Sequence, residues 1–347
     1  MTVVVEAIEA DSDRWEAFVR DCPQSTFFHH LGWGRAIKSA YGYDSINLMA
    51  MRGGEVAGVL PLVDVKSSLL GRSLVSTAFT VGGGVAADDD EARRLLGEAA
   101  RREGEKRRVK FVELRGPAPE PEGWATKNTV YAGFERALPA TEGEILKMVP
   151  RKRRAELNKG IKLAASGGFE IGATEDVDLF YDLYAKALRA HGTPIFPRRF
   201  ARALMREFSK QSEILTIRAE GQAVYAVWTF FFKDRAMPYY IGADPEAARR
   251  LNAYDFGMYR VMVRAAERGA PLFDFGRSKY GTGAFDNKTH WGFEPKPLEY
   301  SYALVSAREM PNVNPQNPKF TAVSEAWKKM PVSLAKIAGP LLARHLA

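Results

Sequence analysis

One segment of the chain, residues 273–300 (FDFGRSKYGTGAFDNKTHWGFEPKPLEY), combines residue types that could bind and polarise a ligand. Its apolar start predicts a buried strand, and the glycines that follow predict a loop whose backbone can approach a ligand closely. Arg277 and Lys288 bring positive charge, and Trp291 and Phe293 offer flat apolar walls. This combination suits a polar, anionic, partly aromatic ligand. A connecting loop whose aromatic side chains fill the core is an equal alternative.

The sequence lacks the motifs of several common enzyme classes. It contains no G-x-S-x-G nucleophile elbow, no phosphate loop ending in Gly-Lys-Ser/Thr and no strand followed by G-x-G-x-x-G. Cys22 is the single cysteine, which excludes an intramolecular disulfide, and five scattered histidines offer no zinc-ligand spacing. The sequence therefore contains no motif that would indicate a hydrolase, an NTPase or a Rossmann-type enzyme. We also expect neither a structural metal nor a tightly bound cofactor.

The net charge of +8 is concentrated in three basic runs. They are residues 101–110, residues 147–162 and a C-terminal group around Lys328, Lys329, Lys336 and Arg344. Such runs are often solvated helix faces, but the second has Glu156 as its one acid. A binding surface for a phosphate-bearing donor such as tRNA is predicted there, formed by Arg151, Lys152, Arg153, Arg154 and Lys159. Charge alone does not distinguish tRNA, coenzyme A and a lipid diphosphate.

The elements around the first segment follow one plan that occurs twice. Strands are predicted at 214–219, 223–232 and 236–241, followed by a helix at 253–268 and a strand at 272–275. The first half repeats this order with strands at 47–51 and 56–65 and near Leu74, a helix at 90–103 and a strand at 109–114. We interpret this as an internal duplication within a mixed α/β fold.

Helices precede the strands in each half. They are predicted at 12–20 and 31–39, and then at 142–165, 175–190 and 197–209. The domain limits follow as 1–140 and 141–305, with residues 306–347 forming a linker, rich in proline and asparagine from Met310, and a basic amphipathic tail. The tail is predicted to be broken by Pro331 and Pro340.

The order of motifs resembles the Fem peptidyltransferase family over residues 26–300. The matching stretches are FFHHLGWGRAIKSAYG, RKRRAELNKGIK, YYIGADPEAARRLNAYD and DFGRS…G…NKTHWG. Within that family the chain is most similar to FemAB-related proteins found with bacterial exosortase and exopolysaccharide systems. The resemblance implies two tandem GNAT-like domains and a transferase that passes an aminoacyl group from aminoacyl-tRNA to an amine on a cell-envelope precursor.

The resemblance also implies roles for single residues. Lys288 stands at the lysine of the family's terminal motif, with Asn287 in place of a phenylalanine, and its charge would stabilise the oxyanion that forms when an amine attacks an ester. The base is suggested by the chemistry alone: Asp274 or Asp286, or a water held by one, would take the proton of the amine. The predicted substrate-binding residues are Trp33, Lys38, Asp244, Tyr254, Arg277 and Trp291.

Two other functions compete with aminoacyl transfer. The first is N-acyl transfer from acyl-CoA or an acyl carrier protein, which acids at Asp244 and Glu246 disfavour because they would lie beside the donor's pyrophosphate. The second is a non-catalytic module that binds a glycan or lipid carrier, which Lys288 and Arg277 argue against.

The location of the protein is predicted from its ends. The acidic N-terminal segment lacks the features of a signal peptide, and we expect a cytoplasmic protein. The basic tail could lie on the inner membrane face, where it would bring the enzyme to a lipid-linked precursor, or could cover an apolar edge of the protein itself.

Overall fold

A computed structural model describes residues 2–8, 12–68, 71–120, 122–311 and 318–345. The chain divides into two compact units. The first comprises residues 1–130, 298–314 and 341–347, and the second comprises residues 131–297 and 315–340. Segments that are distant in sequence therefore belong to the same unit. The domain limits given above, 1–140 and 141–305, stay a prediction.

The chain forms strands and helices in the following order. Up to residue 137 they are β1 (Val3–Ile8), α1 (Ser12–Asp21), α2 (Leu31–Tyr41), β2 (Ser45–Arg52), β3 (Glu55–Ser67), β4 (Gly71–Ser76), β5 (Ala86–Ala87), α3 (Asp90–Lys106), β6 (Phe111–Leu114) and β7 (Ala125–Ala137). They continue with α4 (Glu142–Met148), α5 (Arg151–Ala165), β8 (Glu170–Thr174), α6 (Val177–His191), α7 (Arg198–Phe208), β9 (Ser212–Ala219), β10 (Gln222–Phe232), β11 (Arg235–Ala243), α8 (Pro245–Arg250), α9 (Ala253–Glu267), β12 (Leu272–Lys279), α10 (Gly283–His290), β13 (Pro295–Leu304), α11 (Pro318–Lys329) and α12 (Val332–Ala343).

Both units contain a mixed sheet of the same design. In the first unit the strand order is β1-β2-β3-β4-β6-β13, with the short β5 beside β3. In the second it is β8-β9-β10-β11-β12-β7. Neighbours are antiparallel except β4 with β6 and β11 with β12, which are parallel and joined through a helix. The predicted mixed α/β fold with two similar halves is confirmed.

The last strand of each sheet comes from a part of the chain that the sequence analysis left unassigned. Ser301–Leu304 of β13 pair with β6, and residues 131–137 of β7 pair with β12. Each unit is therefore completed by a strand that lies far from its partner in the sequence.

Each unit has its own hydrophobic core. In the first, α3 packs on β1, β2 and β3, and the cluster includes Leu60, Leu96 and Val112. In the second, α9 packs on β10 with α4 and α5 beside it, while α6 covers β10 and β11. Gly160 of α5 lies against Phe256 of α9, where an added Cβ would be 2.6 Å from the Phe256 Cβ. The close packing of these two helices depends on that glycine.

Three predicted elements differ in the structure. The single helix expected at 142–165 is two helices, because Pro150 keeps Val149 extended (ψ 129°). The glycine-rich segment after β12 contains a helix, α10, whose first turn is capped by Thr282. Pro340 lies inside α12 and does not end it, whereas Pro331 separates α11 from α12. Residues 312–317 of the predicted linker lie outside the described residues.

Candidate active site

The candidate site is built on a β-bulge in β12. The pairing of β12 with β7 shifts between Asp274 and Arg277, so that Asp274 is opposite Glu135 and Arg277 is opposite Gly133. Gly276 has a φ of +69°, a left-handed conformation that glycine adopts without strain. Its N–H donates to Asp274 Oδ1 at 2.8 Å. The bulge therefore fixes the carboxylate of Asp274 and turns the strand beyond it.

Lys288 of α10 lies against this bulge. Its Nζ donates to the carbonyl oxygen of Arg277 at 2.8 Å and lies 5.3 Å from the ring centre of Phe134 and 5.5 Å from that of Phe275. Burial lowers the pKa of Lys288 to about 7, with Arg277 acting in the same direction and Asp274 opposing it. At neutral pH the amine is therefore divided between its charged and neutral forms, which suits proton transfer.

Asp274 provides the opposite charge in this site. Burial raises the pKa of its carboxyl group, against the hydrogen bond from Gly276 and the charges of Arg235 and Lys288. A carboxylate that binds protons more readily than usual is a better base than an ordinary aspartate. Asp286, the other predicted base, is exposed in the first turn of α10, and its role stays a prediction.

β11 and β12 separate beside this site. The two strands pair only at Arg235 with Leu272 and Ala236 with Phe273 within the described residues, although β11 continues to Ala243 and β12 to Lys279. β11 also has an irregular register against β10, between Trp228 and Thr229. The facing edges of the separated strands could pair with the amide groups of an extended substrate.

Arg153 of α5 anchors the helix that carries Lys288. Its guanidinium lies 3.4 Å from the carboxylate of Asp255 and 5.1 Å from the ring centre of Trp291, and it donates to Asn287. Burial lowers the pKa of Arg153 and raises that of Asp255. The structure thus places Arg153 inside the second unit, between α9 and α10.

The other basic residues of α5 are more accessible. Arg151, Lys152 and Lys159 are exposed, and Arg154 is half-buried. Lys159 pairs with Glu156 at 2.7 Å, which partly neutralises it. Contact of these residues with a phosphate-bearing donor stays a prediction.

The predicted substrate residues of the second unit have structural contacts. Asp244 caps α8 by accepting from the N–H of Ala247, and it pairs with Lys186 at 2.9 Å, which holds the pKa of Asp244 below its usual value. Tyr254 packs edge-on against Tyr225, and burial raises the pKa of Tyr254. Trp291 is buried. These contacts position the ends of β11 and α10, and substrate binding by these residues stays a prediction.

Trp33 and Lys38 belong to the first unit. Trp33 is fully buried, packs on Phe28 and donates from Nε1 to the carbonyl of Ala78 at 3.3 Å. Lys38 is exposed and lies 3.3 Å from Asp44. This agrees with a core tryptophan on an amphipathic helix, and a role in precursor binding stays a prediction.

Four residues of β7 that contact the candidate site were not identified from the sequence. Tyr131, Phe134 and Glu135 lie opposite β12, and Arg136 donates to the carbonyl of Gly292 at 3.2 Å. No motif marks these residues, because their contacts are formed by a strand pairing between distant segments. The helical position of Lys288 was detectable, because Thr282 is a typical N-cap residue and its side chain accepts from the N–H of Phe285.

The described residues contain neither a candidate metal site nor a helix suited to cross a membrane. They contain no group of three or more His, Cys, Asp or Glu side chains arranged to hold a metal ion. None of their helices combines the length and the apolar character needed to cross a bilayer.

Comparison with known proteins identifies the type of fold. Residues 151–288, which include β12 and Lys288, match the family model described as Acetyltransferase (GNAT) domain. Enzymes of this type use acyl-CoA as a substrate and hold no tightly bound cofactor. No curated protein matches the chain in sequence.

Three solved structures show the extent of the similarity. The crystal structure of FemX matches with a TM-score of 0.68 at 14% identity, covering 86% of this chain and 98% of that one. A tandem GNAT protein from the clavulanic acid biosynthesis pathway matches with a TM-score of 0.56 at 13% identity, covering 89% and 100%. L-PGS from Bacillus licheniformis matches with a TM-score of 0.53 at 13% identity, covering 94% and 99%. The resemblance to Fem-like proteins of the GNAT fold is confirmed, and the acetyltransferase domain supports a transferase of acyl groups.

Proposed function

We propose that this chain forms an amide bond by transferring an aminoacyl group from aminoacyl-tRNA to an amine acceptor. The acceptor would be a cell-envelope or exopolysaccharide-related precursor, as the resemblance to the FemAB-related proteins of exosortase systems implies. The observation that carries the proposal is Lys288, held at the β12 bulge with a pKa of about 7 beside Asp274. The structural similarity to FemX supports the same class of reaction.

In the proposed reaction Lys288 and Asp274 have different roles. The acceptor amine attacks the carbonyl carbon of the aminoacyl ester, a C–N bond forms, and the carbonyl oxygen becomes negatively charged. The ammonium form of Lys288 stabilises this oxyanion. Asp274, or a water that it holds, takes the proton from the attacking nitrogen. The carbonyl then re-forms as the C–O bond to the ribose breaks, and the proton taken by Asp274 or its water passes to the departing ribose oxygen.

A second donor, acyl-CoA or an acyl carrier protein, is favoured by the acetyltransferase domain match and by the gap between β11 and β12. The chemistry at Lys288 would be the same, with a thiolate as the leaving group. The exposed cations of α5 favour tRNA, because a long polyanion can engage several of them at once. Asp244 and its pairing with Lys186 disfavour a pyrophosphate at the start of α8.

We propose a cytoplasmic location with peripheral contact to the inner membrane face through the tail. Leu334 and Ile337 of α12 are 54% and 69% exposed, which is unusual for large apolar side chains. Another side of α12 is occupied, because Ala335 is buried and Lys336 pairs with Asp182. Ile337→Glu should lower flotation with anionic liposomes if the proposal is right, and unchanged flotation would contradict it.

The main experiment follows label from each donor into amide product. The purified chain is incubated with labelled aminoacyl-tRNAs or acyl-CoAs and an extract of small precursors, in parallel with Lys288→Met and the exposed control Lys210→Met. We expect transfer from aminoacyl-tRNA that is lost in Lys288→Met and kept in Lys210→Met. Transfer from acyl-CoA alone would establish the second donor. Transfer from neither donor would favour a non-catalytic module that binds a glycan or lipid carrier.

A further inference from the structure

A basic surface next to Lys288 has no part in the reaction described above. It is formed by Arg277 and Lys279 of β12 and Tyr131 of β7. The register places Lys279 opposite Tyr131 and Arg277 opposite Gly133, so both cations and the ring lie on one face of the strand pair. The Arg277 Cζ lies 4.4 Å from the ring centre of Tyr131, and the Lys279 Nζ lies 5.4 Å from it.

These contacts hold the two cations in place. A guanidinium over an aromatic ring is attracted by the ring's negative face and loses mobility. Gly133 has no side chain, which leaves space for Arg277 to reach the neighbouring ring. Arg277 and Lys279 are both half-buried, so they are accessible but incompletely hydrated. Fixed and partly dehydrated cations bind an anion more strongly than mobile surface lysines.

The electrostatics of this surface favour an anion. Burial and the charge of Arg277 lower the pKa of Lys279, and the same two causes lower the pKa of Lys288. Arg277 thus repels the charge of both lysines, whereas Asp274 attracts that of Lys288. A bound anion would reduce this repulsion and would favour the protonated form of both lysines.

We propose that Arg277, Lys279 and Tyr131 form a binding subsite for a phosphate group of one of the two substrates. The planar guanidinium can donate two parallel hydrogen bonds to phosphate, and the ammonium adds a third. The inference deepens the proposed function and rests on it for the use of the subsite. The phosphate belongs either to the donor, as in tRNA or coenzyme A, or to a diphosphate-linked acceptor.

The first experiment measures pyrophosphate binding to the full chain by calorimetry at low salt. Arg277→Gln/Lys279→Gln is compared with Arg206→Gln/Lys210→Gln, which removes the same charge from α7 and the residues after it. We expect binding to weaken about 10- to 100-fold in the first variant and less than about threefold in the second. Equal losses in both would overturn the subsite, as would unchanged binding in the first. Circular dichroism checks that each variant is folded.

The pH dependence gives an independent check. If phosphate favours protonated Lys288 and Lys279, the bound anion must raise the pKa of Lys288, and these lysines must strengthen binding more at pH 6 than at pH 9. A rise of one pKa unit corresponds to a tenfold change in affinity. Pyrophosphate itself gains charge as pH rises, and this effect is the same for wild type and variant. The affinity of wild type relative to Arg277→Gln/Lys279→Gln must therefore fall from pH 6 to pH 9, and a constant ratio would contradict the proposal.

Competition then identifies the source of the phosphate. Displacement of pyrophosphate by coenzyme A or deacylated tRNA would assign the subsite to the donor, and displacement by a nucleoside diphosphate sugar would assign it to the acceptor. Displacement by none of them would overturn the assignment to a substrate. No turnover is needed, so pyrophosphate binding without any transfer would count against the proposed function alone. Lys288-dependent transfer without pyrophosphate binding would count against the subsite alone.

Discussion

The strand before the last in each sheet has a similar sequence, FVELRG around β6 and FDFGRS in β12, but the charged residues have different contacts in the two units. In the first unit Glu113 of β6 and Arg115, the residue directly after that strand, form an ion pair at 3.0 Å. Arg115 also donates to the carbonyls of Thr77 and Thr80. Both charged side chains are nearly buried, and the space beside β6 is closed by these bonds.

In the second unit one added residue changes this arrangement. The bulge at Gly276 separates Asp274 from Arg277, so that the carboxylate accepts from a backbone N–H and the guanidinium lies on Tyr131. Lys288 of α10 donates to the carbonyl oxygen of Arg277 in β12. The same pair of residue types thus forms an ion pair in the first unit and is separated in the second, where the carboxylate and the guanidinium have different contacts. A duplicated fold can keep one copy as scaffold and use the other as the site.

The largest expected effect comes from removing Lys288. Lys288→Met should lower the rate of transfer about 100- to 1,000-fold, because the oxyanion loses its fixed donor. Single-turnover kinetics with saturating donor would measure it. Lys288→Arg keeps a charge at all pH values and should remove the fall in rate that we expect of the wild type above about pH 7, the pKa of Lys288. A rate that instead rises through pH 7 in a Lys288-dependent way would mean that the neutral amine acts as the base.

The matching change in the first unit should affect stability. Arg115→Met leaves Glu113 without its partner in a nearly buried position and should lower the free energy of unfolding by about 3 kcal/mol. Urea denaturation would measure the loss. Arg115→Met combined with Glu113→Leu removes both charges and should recover part of it. A large loss of transfer by folded Arg115→Met would show that the first unit takes part in the chemistry.

The comparison also shows which parts of the fold were readable from the sequence. The strands at 212–219, 222–232 and 235–243 and helix α9 were predicted because hydrophobic alternation and glycine turns are local. β7 and β13 were not, because they pair with strands from the other half of the sequence. Tyr131 and Phe134 could therefore not be placed at the site from the sequence. The burial that lowers the pKa of Lys288 could not be predicted either.

The positions of candidate site residues were readable only where chemistry and motif agreed, and their roles stay predictions. Lys288 and Asp274 were named from the terminal motif, and the structure brings both to the β12 bulge. Arg153 was grouped with the surface cations of its helix, because a run of basic residues does not reveal which one faces inward. That distinction depends on Asp255 and Trp291, which come from other elements.

A smaller effect should appear in the pH dependence of stability. The pKa of Lys288 is about 7 in the folded chain and near its usual value of 10.5 in the unfolded chain. The unfolded chain therefore binds more protons between these values, and stability should rise with pH across this window. Lys288→Met should be more stable than wild type by about 1–3 kcal/mol at pH 6, with the difference disappearing toward pH 10. Thermal denaturation at both pH values tests this, with Lys210→Met as the exposed control; a constant difference would contradict the lowered pKa.

The smallest effect concerns the arginine that pairs with a carboxylate in each unit: Arg115, directly after β6, in the first, and Arg153 of the separate helix α5 in the second. Arg153→Gln should destabilise the chain by about 1–2 kcal/mol, because Asp255 loses its nearest cation while staying half-buried. Removing that cation raises the pKa of Asp255 further above its unfolded value, so the loss should be larger at pH 8 than at pH 4. Urea denaturation at the two pH values measures it.

Lys152→Gln, one residue away and exposed, is the control. It should leave stability unchanged while lowering the slope of the salt dependence of tRNA binding by about one unit. Equal behaviour of the two variants would mean that Arg153 is one more surface cation of α5.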